Sequence, residues 1–257
     1  MELAPNPFTC ALANGQKQIG LWISLCSNFA AEVVSTAGYD WALIDMEHSA
    51  NDYFSVLGQL QAFAASSTTA LVRVEWNDAV AVKRLLDLGT PGLLFPMIQS
   101  VEEAEKAVAA TRYPPRGIRG VSGATRATAF GRITDYVARV EEETAVLLQL
   151  ETRAAVEQAE AIGAVEGVSG IFFGPADIAA DIGKLGKPLD PEVWALIKPA
   201  AQKLIAKGMP VGTLVTDPGF AAELLNEGFT FVAIATDTGL LARAADAALA
   251  QTKGALT

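Results

Sequence analysis

Two carboxylates follow apolar stretches of the sequence, at points where buried strands are expected to end. Glu151 follows the run 146–150, and Asp177 follows the run 170–173 after a Gly-Pro break that favours the start of a helix. Carboxylate oxygens are the ligands that hard divalent cations prefer. The two acids therefore predict a site for Mg²⁺ or Mn²⁺, with Co²⁺ as a further candidate, completed by water and substrate oxygens. The alternative for each acid is to complement the dipole at a helix N-terminus.

A second group of polar residues could carry proton transfer and anion binding. His48 is the only histidine in the chain, and Asp45 lies three residues before it. A carboxylate at that spacing can fix the tautomer of an imidazole, so His48 is a candidate general base. Arg73 interrupts an apolar run, where a guanidinium needs an anionic or carbonyl partner. The alternatives are a surface role for His48 and a structural ion pair of Arg73 with Asp45 or Glu47.

The remaining reactive residues exclude several kinds of chemistry. A single histidine and two cysteines, Cys10 and Cys26, cannot build a zinc site of histidine or thiolate ligands or a disulfide framework. The lysines fall on expected helices or before the first expected strand, so a Schiff-base mechanism lacks its nucleophile. The loops after the seventh and eighth expected strands carry acids instead of a glycine-rich phosphate cradle, which makes a phosphorylated substrate less favoured.

Eight short apolar runs must position these residues, and they alternate with amphipathic helical stretches. The predicted strands are 18–25, 41–45, 70–74, 92–96, 145–150, 170–174, 210–214 and 231–235. Such runs are typical of parallel strands that are buried on both faces. Helices are predicted at 28–38, 78–89 and 100–111, the last of which has the Ser-x-x-Glu form of a capping box.

The alternation predicts an α/β fold, a (β/α)8 TIM barrel that forms one domain over residues 1–257. A doubly wound open sheet is the alternative. Active sites of such barrels lie at the C-terminal ends of the strands, so Trp22 and Gln149 are expected to join the acids, His48 and Arg73 at one mouth. Two segments depart from a minimal barrel. Residues 112–132 form a long loop rich in Gly, Pro and Arg, and long loops in compact domains are usually functional. Residues 181–191 form a connector rich in Gly, Pro and Lys after the sixth strand.

Composition limits the partners. The net charge of −10 and the pI of about 4.7 argue against nucleic acid and anionic membranes as partners. No apolar run reaches the length of a transmembrane helix, and the N-terminus lacks the pattern of a secretory signal. We therefore expect a cytoplasmic protein that acts on small molecules. The hydrophobic content of 51% hints at interfaces between subunits.

Five motifs, in order along the chain, resemble those of one enzyme family. They are Leu43-Ile-Asp-Met-Glu-His48, Leu71-Val-Arg73, Arg112-Tyr-Pro-Pro-Arg-Gly-Ile-Arg-Gly120, Gln149-Leu-Glu151 and Phe173-Gly-Pro-Ala-Asp177. From about residue 18 to 248 the sequence resembles the 4-hydroxy-2-oxoheptanedioate aldolases, which are metal-dependent class II pyruvate aldolases of the citrate lyase beta-like superfamily. The resemblance implies a (β/α)8 barrel, usually a hexamer built from dimers that exchange their last helix.

The same resemblance implies retro-aldol cleavage of 4-hydroxy-2-oxo acids through a metal-bound pyruvate enolate. The products would be pyruvate and an aldehyde such as succinic semialdehyde. Glu151 and Asp177 would hold the metal, Arg73 would stabilise the enolate, and His48, oriented by Asp45, would take the proton of the C4 hydroxyl. The resemblance also implies binding roles for Gln149 and the backbone around Gly174, Ala176 and Asp177 with pyruvate, for Trp22, Val121 and Leu214 with the aldehyde, and for Asp87 at a neighbouring subunit's site.

Two other functions remain open at this point. A lyase for malyl- or citramalyl-coenzyme A, or a decarboxylating relative, would use the same barrel. A coenzyme A enzyme needs a basic patch for the nucleotide, and the only arginine cluster lies within 112–132. A non-catalytic barrel that binds a 2-oxo acid is the alternative from another class.

Overall fold

The computed structural model of the protein describes residues 1–256, which form a closed barrel of eight parallel strands. Each strand pairs with its neighbours in chain order, and β1 closes the barrel against β8. The strands are β1 Gln18–Ile23, β2 Trp41–Asp45, β3 Thr69–Arg73, β4 Gly92–Phe95, β5 Ala145–Leu150, β6 Gly170–Phe173, β7 Val211–Leu214 and β8 Phe231–Thr236. The predicted (β/α)8 barrel is confirmed, and the open sheet is wrong.

Helices surround the barrel. They are α1 Pro7–Ala13, α2 Asn28–Ser35, α3 Tyr53–Phe63, α4 Ala79–Leu88, α5 Val101–Thr111, α6 Tyr136–Glu143, α7 Arg153–Glu157, α8 Ala159–Gly163, α9 Pro175–Asp181, α10 Pro191–Ala206, α11 Pro218–Asn226 and α12 Asp237–Ala255. The predicted cap of α5 is present, because Ser100 accepts a hydrogen bond from the amide of Glu103 at 3.3 Å. The Glu103 carboxylate accepts instead from the amide of Gln99, so the predicted capping box is only half formed.

The first helix plugs the N-terminal end of the barrel. Phe8 is fully buried, with its ring centroid 5.9 Å from that of Trp41 and 5.7 Å from that of Phe231. A Cβ on Gly20 would lie 2.1 Å from the Trp41 ring, and one on Gly212 would lie 2.2 Å from the Phe231 ring. These glycines therefore make room for the aromatic rings that fill the N-terminal half of the barrel interior.

Strand periodicity carries the polar residues to the opposite end of the same interior. Leu43 and Leu71 belong to the buried cluster inside the barrel. Because side chains two residues apart share a face of a strand, Asp45 and Arg73 point into the barrel one layer closer to its C-terminal end. Gln149 of β5 lies two residues beyond another member of that cluster. The interior thus changes from apolar to polar along the barrel axis.

Two segments outside the barrel bear on the predicted site. The loop 112–132 contains a short 3-10 turn, Arg126–Thr128, and packs against α4. Its Arg119 is fully buried, donates to Asp87 at 3.0 Å and lies over the ring of Tyr113. By contrast, α12 is buried only at its first residue, Asp237. Among residues 1–256, none of the helices has both the length and the apolar character that a membrane span requires.

Candidate active site

A cavity of about 300 Å³ opens at the C-terminal ends of the strands. Most of the residues that the sequence singled out contribute to its wall: Trp22, His48, Arg73, Gln149, Gly174, Ala176, Asp177 and Leu214. Asp45 and Glu151 are each 2% exposed and contact the wall residues Arg73 and Gln149. The fold thus brings side chains from distant parts of the sequence to one mouth, as expected for this barrel.

Asp45 and Arg73 form a buried, two-pronged ion pair. They are direct partners in the register of β2 and β3, so their side chains leave neighbouring strands side by side. Arg73 donates from Nε to Asp45 Oδ1 at 2.8 Å and from Nη2 to Oδ2 at 2.7 Å. Trp22 Nε1 also donates to Oδ2, at 3.2 Å. Burial alone would raise the pKa of Asp45, but these donors and the charge of Arg73 lower it below its ordinary value.

The expected contact between Asp45 and the imidazole of His48 requires correction. Within the described chain, Asp45 accepts from the backbone amide of His48 at 3.4 Å, while its carboxylate is committed to Arg73. The carboxylate beside the imidazole is that of Glu47, whose Oε1 lies 3.8 Å from His48 Nε2. The guanidinium explains this arrangement because it occupies both oxygens of Asp45.

Glu47 therefore links the arginine to the histidine. Its Oε2 lies 2.8 Å from Nη1 of Arg73, and its side chain is only 12% exposed, compared with 66% for His48. Burial raises the pKa of Glu47 above its ordinary value, although the charge of Arg73 opposes the shift. The sequence placed Glu47 inside the His48 motif, but nothing in its spacing distinguished it from Asp45 as the partner of the imidazole.

Glu151 directly follows β5 and is as deeply buried as Asp45. Its Oε2 accepts from the backbone amide of Met97 at 2.6 Å, and its Oε1 accepts from Gln149 Nε2 at 2.6 Å. Met97 has a φ of 53°, an uncommon conformation for a residue other than glycine and one that clusters at functional sites. Burial raises the pKa of Glu151 to about 7, and the nearby charges of Glu47 and Asp177 act in the same direction.

This corner fits a hard divalent cation. Glu151 and Asp177 supply carboxylate oxygens, and Oε1 of Gln149 is buried without a hydrogen-bond partner in the described chain. A cation would offset the mutual repulsion that helps to keep the pKa of Glu151 high. Among residues 1–256, no three His, Cys, Asp or Glu side chains converge into a preformed metal cage. Two carboxylates would leave coordination positions open for water and substrate oxygens, as catalytic sites require.

The beginning of α9 adds hydrogen-bond donors to the cavity. Gly174 caps the helix, Pro175 takes the first position, and Ala176 and Asp177 follow in the first turn, as the sequence predicted. The first amides of a helix have no partner within the helix and carry its positive dipole end. Because Ala176 and Asp177 line the cavity, their amides can bind an anionic oxygen there.

Two of the predicted site residues lie elsewhere. Within the described chain, Asp87 and Val121 do not contribute to the wall of this cavity: Asp87 pairs with Arg119, and Val121 is 72% exposed on the loop 112–132. The role of Asp87 at the site of a neighbouring subunit stays a prediction, as does the role of Val121 in the aldehyde pocket. Conversely, Pro188 and Leu189 line the cavity and had no predicted role. They belong to the segment 181–191, which the sequence marked only by its composition.

Comparisons with known proteins agree with this geometry. Residues 18–244 match the family described as "HpcH/HpaI aldolase/citrate lyase". A pyruvate aldolase of Rhizobium etli is 49% identical over 98% of this chain and 99% of its own length. A 4-hydroxy-2-oxo-heptane-1,7-dioate aldolase of Escherichia coli is 48% identical over 96% of this chain and 94% of its own. The crystal structure of an HpcH/HpaI aldolase/citrate lyase family protein from Burkholderia cenocepacia superposes with a TM-score of 0.91 at 37% identity, covering 96% of this chain and 99% of that one.

Proposed function

The chain belongs to the HpcH/HpaI aldolase/citrate lyase family and is a metal-dependent aldolase, and we propose that it splits 4-hydroxy-2-oxo acids into pyruvate and an aldehyde. Succinic semialdehyde from 4-hydroxy-2-oxoheptanedioate is one such product. The observation that carries the proposal is the grouping of Arg73, Glu151, Asp177 and His48 around one small cavity at the barrel mouth. The cavity lies at the lower end of the range of about 300–1,000 Å³ for small-molecule sites, which suits a short 2-oxo acid.

In this proposal the first turn of α9 binds the pyruvate half of the substrate. The amides of Ala176 and Asp177 donate to the carboxylate, and Pro175 contributes no N–H. Gln149 donates to Glu151 through its amide nitrogen, which leaves its buried side-chain oxygen available to the substrate. These contacts fix the 2-oxo acid so that the C3–C4 bond faces His48 and Arg73.

Arg73 and His48 then act on the two ends of the bond that breaks. An imidazole nitrogen of His48 takes the proton of the C4 hydroxyl, the C3–C4 bond breaks, and the aldehyde forms. The electron pair moves to the 2-keto oxygen, where the fixed guanidinium of Arg73 stabilises the developing negative charge. Asp45 and Glu47 hold that guanidinium in place through their ion pairs. A proton delivered to C3 completes pyruvate.

Glu151 and Asp177 would hold the divalent cation of this family. When bound, it supplies Lewis-acid polarisation of the keto group. The oxygen donors fit Mg²⁺ or Mn²⁺, and Co²⁺ is a further candidate. The choice among these ions is part of the proposal, as are a hexamer built from dimers and a location in the cytoplasm.

The test follows the methyl protons of pyruvate by NMR in D₂O. We expect exchange for deuterium in the presence of Mg²⁺ or Mn²⁺, loss of exchange after chelation, and recovery when the metal is returned. The assay needs no assumption about the aldehyde, because it reports only deprotonation at C3. An absence of exchange with every metal tried would contradict the proposed function and favour a thioester lyase or a binding barrel.

A further inference from the structure

The cavity is lined by polar residues and by apolar ones. Arg73, Gln149 and Asp177 form the polar end, where the proposed function places the 2-oxo acid. Pro188, Leu189 and Leu214 line an apolar wall. The two basic groups among the lining residues are His48 and Arg73, and Arg73 is held in place by its carboxylate partners. The apolar wall of this chain therefore offers no cation to a substituent that reaches it.

Leu189 is held at this wall by the residues on either side of it. The carbonyl oxygen of Pro188 accepts a hydrogen bond from Trp194 Nε1 at 2.9 Å. Asp190 caps α10 by accepting from the amide of Glu192 at 3.0 Å. Trp194 is itself fixed against Phe220, with ring centroids 4.6 Å apart. The backbone is therefore held on both sides of Leu189, as the position of a specificity-determining residue requires.

Leu189 also marks the boundary between the cavity and the outer surface. It is 51% exposed, and besides the cavity it lines a shallow groove with Trp194, Lys198 and Phe220. The ammonium group of Lys198 donates to Glu223 at 2.7 Å and to Glu227 at 2.8 Å, so this cation is already paired with carboxylates. A substituent that extends from the reacting carbon along the apolar wall would meet this residue before it reaches solvent. The size and charge of the side chain at position 189 would then decide which substituents fit.

We propose that Leu189 is a specificity-determining residue that contacts the substituent of the aldehyde and favours short, uncharged groups over groups that end in a carboxylate. The inference rests on the proposed function, because that function places the pyruvate half at the polar end. A carboxylate against Leu189 would lose hydration without gaining a cation, whereas an alkyl group gains apolar contact. The polar end binds pyruvate in the same way whichever aldehyde is used, so a preference between aldehydes must arise at the apolar wall.

The test compares butanal with succinic semialdehyde as acceptors in the condensation with pyruvate. Leu189→Arg should raise the ratio of kcat/KM for succinic semialdehyde to that for butanal by about tenfold, the change expected for one added charge at close range. Leu185→Arg is the matched control: Leu185 lies on the same segment, is 82% exposed and is not part of the cavity wall. It adds the same charge without the contact and should leave the ratio near that of the wild type.

A second variant removes the side chain without adding charge. Leu189→Ala should lower kcat/KM for butanal about fivefold, since a half-exposed leucine contributes part of the apolar contact of a buried one. An unchanged ratio in Leu189→Arg, or an equal change in Leu185→Arg, overturns the inference. Exchange of pyruvate protons by the wild type separates the two proposals: exchange with an unchanged ratio refutes only the role of Leu189, whereas absent exchange refutes the proposed function itself.

Discussion

At the scale of single residues, the fork between Arg73 and Asp45 is the contact that the proposed chemistry depends on most. Arg73 donates two hydrogen bonds to Asp45, at 2.8 and 2.7 Å, and its Nη1 lies 2.8 Å from Oε2 of Glu47 in an ion pair. A lysine carries the same charge but has no planar fork, so it cannot bridge both oxygens of Asp45. Replacing Arg73 by lysine therefore tests the geometry of the guanidinium, because the positive charge is kept.

We expect Arg73→Lys to lower kcat by about 10²–10³-fold, the usual loss when one oriented donor to a developing oxyanion is removed. Arg73→Ala should in addition lower the free energy of unfolding by about 3–5 kcal/mol, because it leaves Asp45 buried without its partner. Pyruvate release and denaturant unfolding measure the two effects. Arg84→Ala, an exposed arginine of α4 that stacks on Tyr53, is the control. Near-normal turnover by Arg73→Lys would refute the proposed role.

Glu151 predicts a dependence of stability on pH in the metal-free protein. Its pKa is raised from the ordinary 4.5 to about 7, so between these values the folded state holds a proton that the unfolded state has lost. The contribution of this proton is complete below pH 4.5 and is lost as the pH rises through 7, with a slope of at most about 1.4 kcal/mol per pH unit.

The free energy of unfolding in urea measures this effect. It is determined for the wild type and Glu151→Gln, both freed of metal by a chelator, at several pH values between 5 and 7.5. Glutamine cannot ionise, so the wild type should lose stability relative to the variant as the pH rises. Carboxylates that do not interact with Glu151 titrate in both proteins and cancel in the difference. Curves that stay parallel over this range would show that the carboxyl of Glu151 titrates near its ordinary value.

The residue types of this site could be predicted from the sequence, whereas some of their contacts could not. Side chains alternate between the two faces of a strand, and the apolar runs show where the strands end. These two patterns were enough to predict that Arg73, Gln149 and Glu151 lie at one mouth of the barrel. The predicted contact between Asp45 and the imidazole of His48 is absent because the guanidinium of Arg73, on the neighbouring strand, binds Asp45 instead. That competition depends on the register of β2 and β3. Register is a property of three-dimensional pairing that local spacing does not contain.

At the scale of elements, the turn from β6 into α9 brings backbone against a buried acid. A Cβ on Gly174 would lie 2.8 Å from Cγ of Glu151 and 3.2 Å from Nε2 of Gln149. Glu151 cannot move away freely, because the amides of Met97 and Gln149 hold both of its oxygens. Glycine is therefore required here by close packing and not by its φ of −95°.

Gly174→Ala should accordingly weaken Mn²⁺ binding by about 10–100-fold, the loss typical of disturbing the partners of a metal ligand. Titration calorimetry with Mn²⁺ measures the affinity without any turnover. Gly58→Ala provides the comparison, since its added Cβ would sit in ordinary contact, 3.4 Å from Cβ of Asn28 on the outside of the barrel. Equal affinities of the two variants for Mn²⁺ would contradict the role of Glu151 as a metal ligand.

The elements differed in how well the sequence predicted them. Each predicted strand overlaps an observed one, since β-branched apolar runs between helices leave few alternatives. Helix α1 was missed, although Asn6-Pro7 is a start signal and Asn6 does cap the helix by accepting from the amide of Phe8. A helix of seven residues has too little periodicity to detect, and what stabilises it is burial of Phe8 in the barrel.

At the scale of the whole molecule, α12 is a long helix that packs little against the rest of its own chain. It spans 19 residues, and beyond its first residue none is buried within the described chain. Leu240, Leu241 and Leu249 are 39%, 61% and 55% exposed. An isolated helix of this length is marginal in water, so a partner surface is expected to stabilise it. The exchange of the last helix between subunits stays a prediction, and it would supply such a surface.

We therefore expect the protein to assemble through α12 into a hexamer of about six times 26.9 kDa. Replacing Leu241 and Leu249 together by Asp should reduce the mass measured by light scattering, because charged side chains in an apolar interface lose hydration without compensation. Gln251→Asp adds a charge to an exposed position of the same helix and should keep the assembly. A monomeric wild type would contradict the hexamer and, with it, any role for Asp87 at a neighbouring subunit's site. An unchanged mass in the double variant would place the interface elsewhere on the barrel.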